Sequence, residues 1–146
     1  VRRTAFRSLM PDLGPATPHP TAGATAVGCR EVLVAYNVWV ADADLATTKQ
    51  IAATVRGPAL RALGLDVGGR MQVSMNLTEP LVVGPAEAHD LVEATAHAAG
   101  ATTTGAELVG LVPRDVLDRV PLARWGELDL SAAQTIEARV EARGLR

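Results

Sequence analysis

Hydrophobic positions fall into a regular order only after residue 30. The run EVLVAYNVWV at residues 31–40 is β-branched and aromatic, which predicts a strand. It is apolar at both parities, which predicts burial on both sides. Asp42 or Asp44 can cap a following helix, where Thr48, Ile51, Ala52 and Val55 recur at helical spacing until Gly57 and Pro58 stop it. Residues 60–67 read as a second strand, and Gly68-Gly69 as a hairpin turn. In the third strand, residues 70–78, Met71, Val73, Met75 and Leu77 share one face while Gln72, Ser74, Asn76 and Thr78 share the other. Pro85 suits the first turn of a second helix with an apolar stripe of Ala88, Leu91, Val92, Thr95 and Ala99, closed by Gly100. Residues 102–109 form the fourth strand. Pro113 opens a short helix carrying Val116, Leu117 and Val120, and Ser131 with Gln134 reads as a capping box for a last helix presenting Ile136 and Val140.

Strand–helix–strand, hairpin, strand–helix–strand is the order of an α+β, ferredoxin-like βαββαβ fold: a four-stranded antiparallel sheet with two helices on one face, plus trailing C-terminal helices. The other face stays open. Strand three offers it Gln72, Ser74 and Asn76, but strand one is apolar there too, which points to a covering layer outside this chain. Residues 1–30 are different. Pro11, Pro15, Pro18 and Pro20, with Gly14, Gly23 and Gly28, predict a loop segment too long for a simple connection. Two parts follow, a proline- and glycine-rich segment at 1–30 and a folded domain at 31–146.

Composition narrows the function classes. With 146 residues, 48% hydrophobic, the chain suits one domain, and only 3% aromatics means an aliphatic, alanine-rich core. A net charge of -2 with scattered arginines gives no basic stripe for nucleic acid. No apolar window approaches the roughly 20 residues needed to span a bilayer, and the first residues do not read as a signal peptide. The single Cys29 forms no internal disulfide, which favours a reducing, cytoplasmic setting. The first residue is Val1, the mark of a processed chain or a fragment.

Motifs of general chemistry are weak. Residues 23–28, GATAVG, follow a proline loop and precede a strand, the wrong context for a phosphate loop. His19, His89 and His97 lack metal-ligand spacing, and Cys29 has no partner for zinc, so no metal is expected. His89 and His97 lie beside the helical stripe and read as solvated. His19, in the proline loop, is the histidine placed to meet a ligand. There is no Gly-x-Ser-x-Gly elbow. Most carboxylates read as caps or solvated groups, but Glu107 sits in an otherwise apolar strand and must face the open side or find a partner. Trp39 and Trp125 read as core or interface anchors.

Five ordered blocks carry more: PDLGP at 11–15, HPTAGATAVGCR at 19–30, LVAYNV at 33–38, QVSMNLT at 72–78 and ELVGLVP at 107–113. In this order and spacing the chain, from about residue 2 to about residue 121, resembles the C-terminal subdomain of the formiminotransferase family, the glutamate formimidoyltransferases. The resemblance implies transfer of a formimino group from N-formimino-L-glutamate to N5 of tetrahydrofolate, the co-substrate, in histidine degradation. It also implies two ferredoxin-like subdomains stacked sheet against sheet, with folate between them. The folate-binding stretch maps onto Gly14, Pro15, Ala16, Thr17, Pro18, His19, Pro20, Thr21, Ala22 and Gly23. The family's catalytic histidine belongs to the N-terminal subdomain, so no catalytic residue is expected in this chain, which alone would be inactive.

Leu13 stands where the family commonly has Phe, Cys29 where Ala is usual, and Pro18 and Ala22 where animal members carry aromatics. By the same resemblance the partners are the two substrates, an N-terminal formiminotransferase subdomain and, by analogy, a second copy in a homodimer. Attack by N5 on the formimino carbon gives a tetrahedral intermediate whose glutamate nitrogen must be protonated as it leaves, a task suited to histidine. This half would position the substrates, with Asn37, Gln72 and Asn76 as candidate contacts. The alternative is a non-catalytic folate-binding or interaction module.

Overall fold

The computed structural model describes residues 3–144, and the chain divides into two compact units, one ending at Arg30 and one beginning at Glu31. In the second unit the order is β1 (Val34–Ala41), α1 (Leu45–Thr54), β2 (Leu60–Val67), β3 (Arg70–Leu77), α2 (Pro85–Ala98) and β4 (Thr102–Val109). The sheet runs β2-β3-β1-β4, with every neighbouring pair antiparallel. β1 and β2 flank β3 and are therefore parallel to each other, linked by α1; β3 and β4 flank β1 and are linked by α2. Two interleaved βαβ units of this kind are the ferredoxin-like arrangement expected from the sequence. The first strand begins three residues later than its composition suggests, because the ladders start at Val34 opposite Leu77 and Ala35 opposite Val109, leaving Glu31 and Val32 exposed.

Period-two alternation sends Val34, Tyr36, Val38 and Val40 of β1, Val73, Met75 and Leu77 of β3, and Leu60 and Ala62 of β2 to one face. There they form one core with Ile51 and Ala52 of α1 and Ala88, Val92 and Ala96 of α2. Asp44, rather than Asp42, caps α1: its Oδ1 accepts the Thr47 N–H at 2.8 Å. Asp42 instead takes a left-handed φ of 58° and accepts from the Thr102 hydroxyl. α1 approaches the sheet closely at Gly64 of β2. A Cβ there would stand 2.5 Å from the Lys49 backbone nitrogen, so only glycine lets α1 lie this near the strand.

α2 differs from the expected amphipathic pattern. Its buried face is Ala88, His89, Val92 and Ala96, whereas Leu91 and Ala99 are exposed. Small side chains at Ala88 and Ala96, two turns apart on either side of Val92, let the helix backbone lie close to the sheet. His89 turns inward, beside Glu127 of the C-terminal segment, rather than into solvent.

That segment comprises α3 (Arg114–Leu117), 3-10 turns at Leu122–Arg124 and Ala132–Gln134, and α4 (Ile136–Glu141). The cap of α4 is Thr135, whose hydroxyl accepts the Ala138 N–H, while the Ser131 hydroxyl donates to Gln134 Oε1 inside the preceding turn. The expected Ser131 capping box is displaced because Thr135 sits directly before the helix. Two contacts fasten the segment to the sheet and a third ties it to the link that follows β4. The Tyr36 hydroxyl donates to the Leu128 carbonyl at 3.1 Å, Leu108 N–H donates to Asp129 Oδ2 at 3.0 Å, and Val112 bridges to Thr135. Burial, and then the Asp129 carboxylate, push the Tyr36 phenol well above its usual pKa, keeping it a neutral donor.

Candidate functional site

Within the first unit, residues 12–30 are exposed throughout, and Leu13 is 93% exposed. Gly14 (φ 92°) and Gly23 (φ 69°) take left-handed conformations that glycine adopts without strain. Gly14, Pro15, Ala16, Thr17 and Pro18 lead into a closed turn made by His19, Pro20, Thr21, Ala22 and Gly23. His19 and Gly23 exchange two backbone hydrogen bonds of 2.9 Å. The His19 ring completes the turn, its Nδ1 accepting the Ala22 N–H at 3.1 Å and the Thr21 N–H at 3.3 Å. The Nδ1 lone pair is thereby committed to the turn, and the proton of the neutral ring sits on Nε2.

The second unit carries a distinct feature on the sheet face away from the helices. Register places Ala35, Asn37 and Trp39 of β1, Gln72, Ser74 and Asn76 of β3, Arg61, Leu63 and Leu65 of β2, and Gly105, Glu107 and Val109 of β4 there. At its centre Glu107 Oε2 accepts from Asn37 Nδ2 at 3.0 Å and from Gln72 Nε2 at 3.4 Å. Asn37 and Gln72 are only 8% and 5% exposed, so these bonds satisfy amides that would otherwise be buried without partners. One pair along, Arg70 lies over the Trp39 ring, its guanidinium carbon 4.1 Å from the ring centroid. The rim is apolar: Leu63 is 58% exposed, and Leu65, Val67 and Val109 are exposed as well. At the β2 end a shallow cleft is lined by Arg56, Arg61, Leu63, Ser74 and Asn76.

His89 is buried but its Nδ1 makes no hydrogen bond, lying 3.6 Å from Asp90 Oδ1 and 3.8 Å from Glu127 Oε1. His89, Asp90 and Glu93 bring ligand atoms within 4.8 Å of one another. Asp90, however, is held by Arg124 through two hydrogen bonds, Nη2 to Oδ1 at 2.6 Å and Nη1 to Oδ2 at 3.0 Å, and Glu127 accepts from the same guanidinium. A side-chain cation already occupies the place between these carboxylates. The cluster joins α2 to the C-terminal segment.

Alternation in β3 was enough to place Gln72, Ser74 and Asn76 on one face, Asn37 stood as a candidate contact beside them, and the isolated charge marked Glu107. The grouping of Asn37 and Gln72 on one Glu107 oxygen and the Trp39–Arg70 stack needed the strand register, which the sequence does not spell out. The expectation that His89 is solvated is corrected: it is 4% exposed, because Glu127 and its neighbours cover that side of α2.

Among the described residues no helix is long and apolar enough to cross a membrane. No protein-family model matches the chain. A glutamate formimidoyltransferase of Streptococcus pyogenes is 33% identical over 114 residues, 73% of this chain and 38% of that enzyme. One from Thermoplasma acidophilum is likewise 33% identical over 114 residues, covering 37% of its own length. The chain is thus a relative of part of the glutamate formimidoyltransferases, in agreement with the resemblance carried by the five sequence blocks, and it spans under two fifths of the length of these curated relatives.

Proposed function

We propose that this chain is the folate-binding C-terminal half of a glutamate formimidoyltransferase, which moves a formimino group from N-formimino-L-glutamate to N5 of tetrahydrofolate. The observation that carries the reading is the match of 73% of the chain to little more than a third of two enzymes of that name. Two features of the structure support it. The sheet face opposite the helices combines an apolar rim with a fixed polar centre, as a surface that meets both a second layer and a ligand should. The exposed turn built by His19 and the preceding Gly14–Thr17 stretch suits a loop closing over a flat co-substrate, tetrahydrofolate.

The acid–base step belongs to the other half. Protonation of the departing glutamate nitrogen requires a group free to carry and release a proton at the reaction centre. His19 Nδ1 is committed to its own turn, His89 is buried, and His97 lies on α2, the helix layer behind the sheet. This half contributes positioning, which can supply a large share of rate acceleration when two substrates must be aligned. Arg56 and Arg61 at the cleft offer guanidinium forks suited to the glutamate carboxylates.

The test is complementation. Mixed with the N-terminal portion of the Streptococcus pyogenes enzyme, or fused to it, the chain is expected to release glutamate from N-formimino-L-glutamate only when tetrahydrofolate is present. The chain alone should release none. No glutamate release from the fused protein overturns the enzymatic reading. Calorimetric titration with a reduced folate then separates a non-catalytic folate-binding module, which gives heat, from an interaction module, which does not.

A further inference from the structure

The four strands place one carboxylate, Glu107, on the sheet face away from the helices. It is built in, not merely exposed. Two carboxamides that are themselves more than nine-tenths buried, Asn37 and Gln72, both donate to the same oxygen, Oε2. That fixes the plane of the carboxylate and leaves Oε1 without a protein donor among the described residues. Carboxylate oxygens accept several hydrogen bonds, and one held in a part-buried setting accepts strongly from N–H groups.

The neighbouring position is empty. Gly105, two residues before Glu107 on the same face, sits opposite Trp39, and a Cβ built on it meets nothing within 4 Å. A flat group can therefore lie over the Gly105 backbone, its edge against Glu107 and its side against the Trp39 position. Among the described residues no side chain donates to Oε1, and the adjacent cation, Arg70, is stacked on Trp39.

We infer that Glu107 orients a ligand by accepting, through Oε1, hydrogen bonds from a planar N–C–N edge bearing N–H donors. This rests on the folate reading above, because two groups in that reaction carry such an edge: the aminopyrimidinone ring of a pterin and the formimino amidine of the donor. The Gly105 gap and the aromatic neighbour favour the ring. Glu107 is a positioning group, and Asn37 and Gln72 hold it in place.

The side-chain NH₂ resonances of Asn37 and Gln72 report on Oε2 directly, so nitrogen-15 NMR of the full chain is the measurement. The chain is titrated with 5-formyltetrahydrofolate, tetrahydropterin, N-formimino-L-glutamate and formamidinium. Saturable shifts of both NH₂ groups are expected with the folate and the pterin. In Glu107→Gln, whose amide oxygen can still accept from both carboxamides, binding should weaken about tenfold to a hundredfold. Gln50→Ala, an exposed change on α1 behind the sheet, should bind as the unaltered chain does. Should Glu107→Gln fail to give a folded backbone spectrum, Glu107→Asp keeps the charge, withdraws the oxygen by one methylene and should show the same weakening. Responses to formamidinium and N-formimino-L-glutamate alone sustain the role of Glu107 but transfer it to the formimino donor. Reduced folate bound equally by the variant overturns the inference and leaves the folate reading standing. No saturable response of the unaltered chain to any of the four overturns both.

Discussion

At Gly64 the spacing between a strand and a helix is decided by one missing methyl group. The Cβ of an alanine would fall 2.5–2.6 Å from backbone atoms of Thr48 and Lys49, and backbone cannot rotate away as a side chain can. Gly64→Ala is expected to lower stability by about 2–3 kcal/mol through overpacking, read as a lower urea midpoint at unchanged slope. Gly126, whose added Cβ would meet nothing within 4 Å, is the matched control and should change stability by less than about 0.5 kcal/mol on substitution by alanine. Tyr36→Phe removes the donor to the Leu128 carbonyl and should cost about 1 kcal/mol. Its effect should concentrate in the C-terminal segment, seen as faster amide exchange around Leu128. The two residues differ in how far the sequence announces them. A tyrosine in an apolar strand signals burial with a polar end to satisfy, but its partner is 92 positions away. Gly64 looks like any glycine in a strand, because the helix that presses on it is chosen by tertiary packing.

Among the elements, those with strong local patterns were legible: β2 and β3 with their Gly-Gly turn, the first helix with its cap narrowed to Asp42 or Asp44, and β4 follow from alternation, caps and breakers. α2 was legible as a helix but not in its facing. Composition made Leu91 the natural core residue, yet the alanine row at Ala88, Ala96 and the covering C-terminal segment rotate the buried face onto His89. The site followed the same rule. Side-chain parity was readable, whereas contacts between Asn37, Gln72 and Glu107 depend on ladder registers fixed by the whole sheet. The join between α2 and the C-terminal segment is electrostatic and therefore responds to pH. Hydrogen bonds from Arg124 hold the Asp90 and Glu127 carboxyls below their ordinary range. Depressed folded-state values mean that this contribution is fully present above the unfolded value of about 4 and is lost as pH falls through the folded values. Both carboxylates are about half exposed, so the effect is small. Arg124→Met should cost about 1 kcal/mol near neutrality and less at pH 3, read from urea unfolding at the two pH values. An equal cost at both would show that the arginine acts through packing alone.

On the scale of the whole molecule, the two faces of the sheet make different demands. The helix face is closed by an aliphatic core and accounts for the fold. The opposite face leaves Leu63, Leu65, Val67 and Val109 exposed around a polar centre in which Asn37 is bonded to Glu107, which costs the isolated unit little and gives it little. If that face meets the remaining part of a glutamate formimidoyltransferase, changing its rim should separate folding from function. Leu63, 58% exposed, is the sharpest place to ask. Leu63→Lys is expected to leave the urea midpoint of this chain within about 0.5 kcal/mol of the original, since no core contact is removed. In the fused or mixed enzyme the same change buries an unpaired ammonium at the interface, and should weaken association and glutamate release at least about tenfold. Leu91→Lys, at a position also exposed (45%) but on the helix side, should change neither. Association measured by ultracentrifugation and turnover measured as glutamate release must fall together for Leu63→Lys. Full turnover in that variant would mean that the partner half does not sit on this face, whatever the ancestry of the chain.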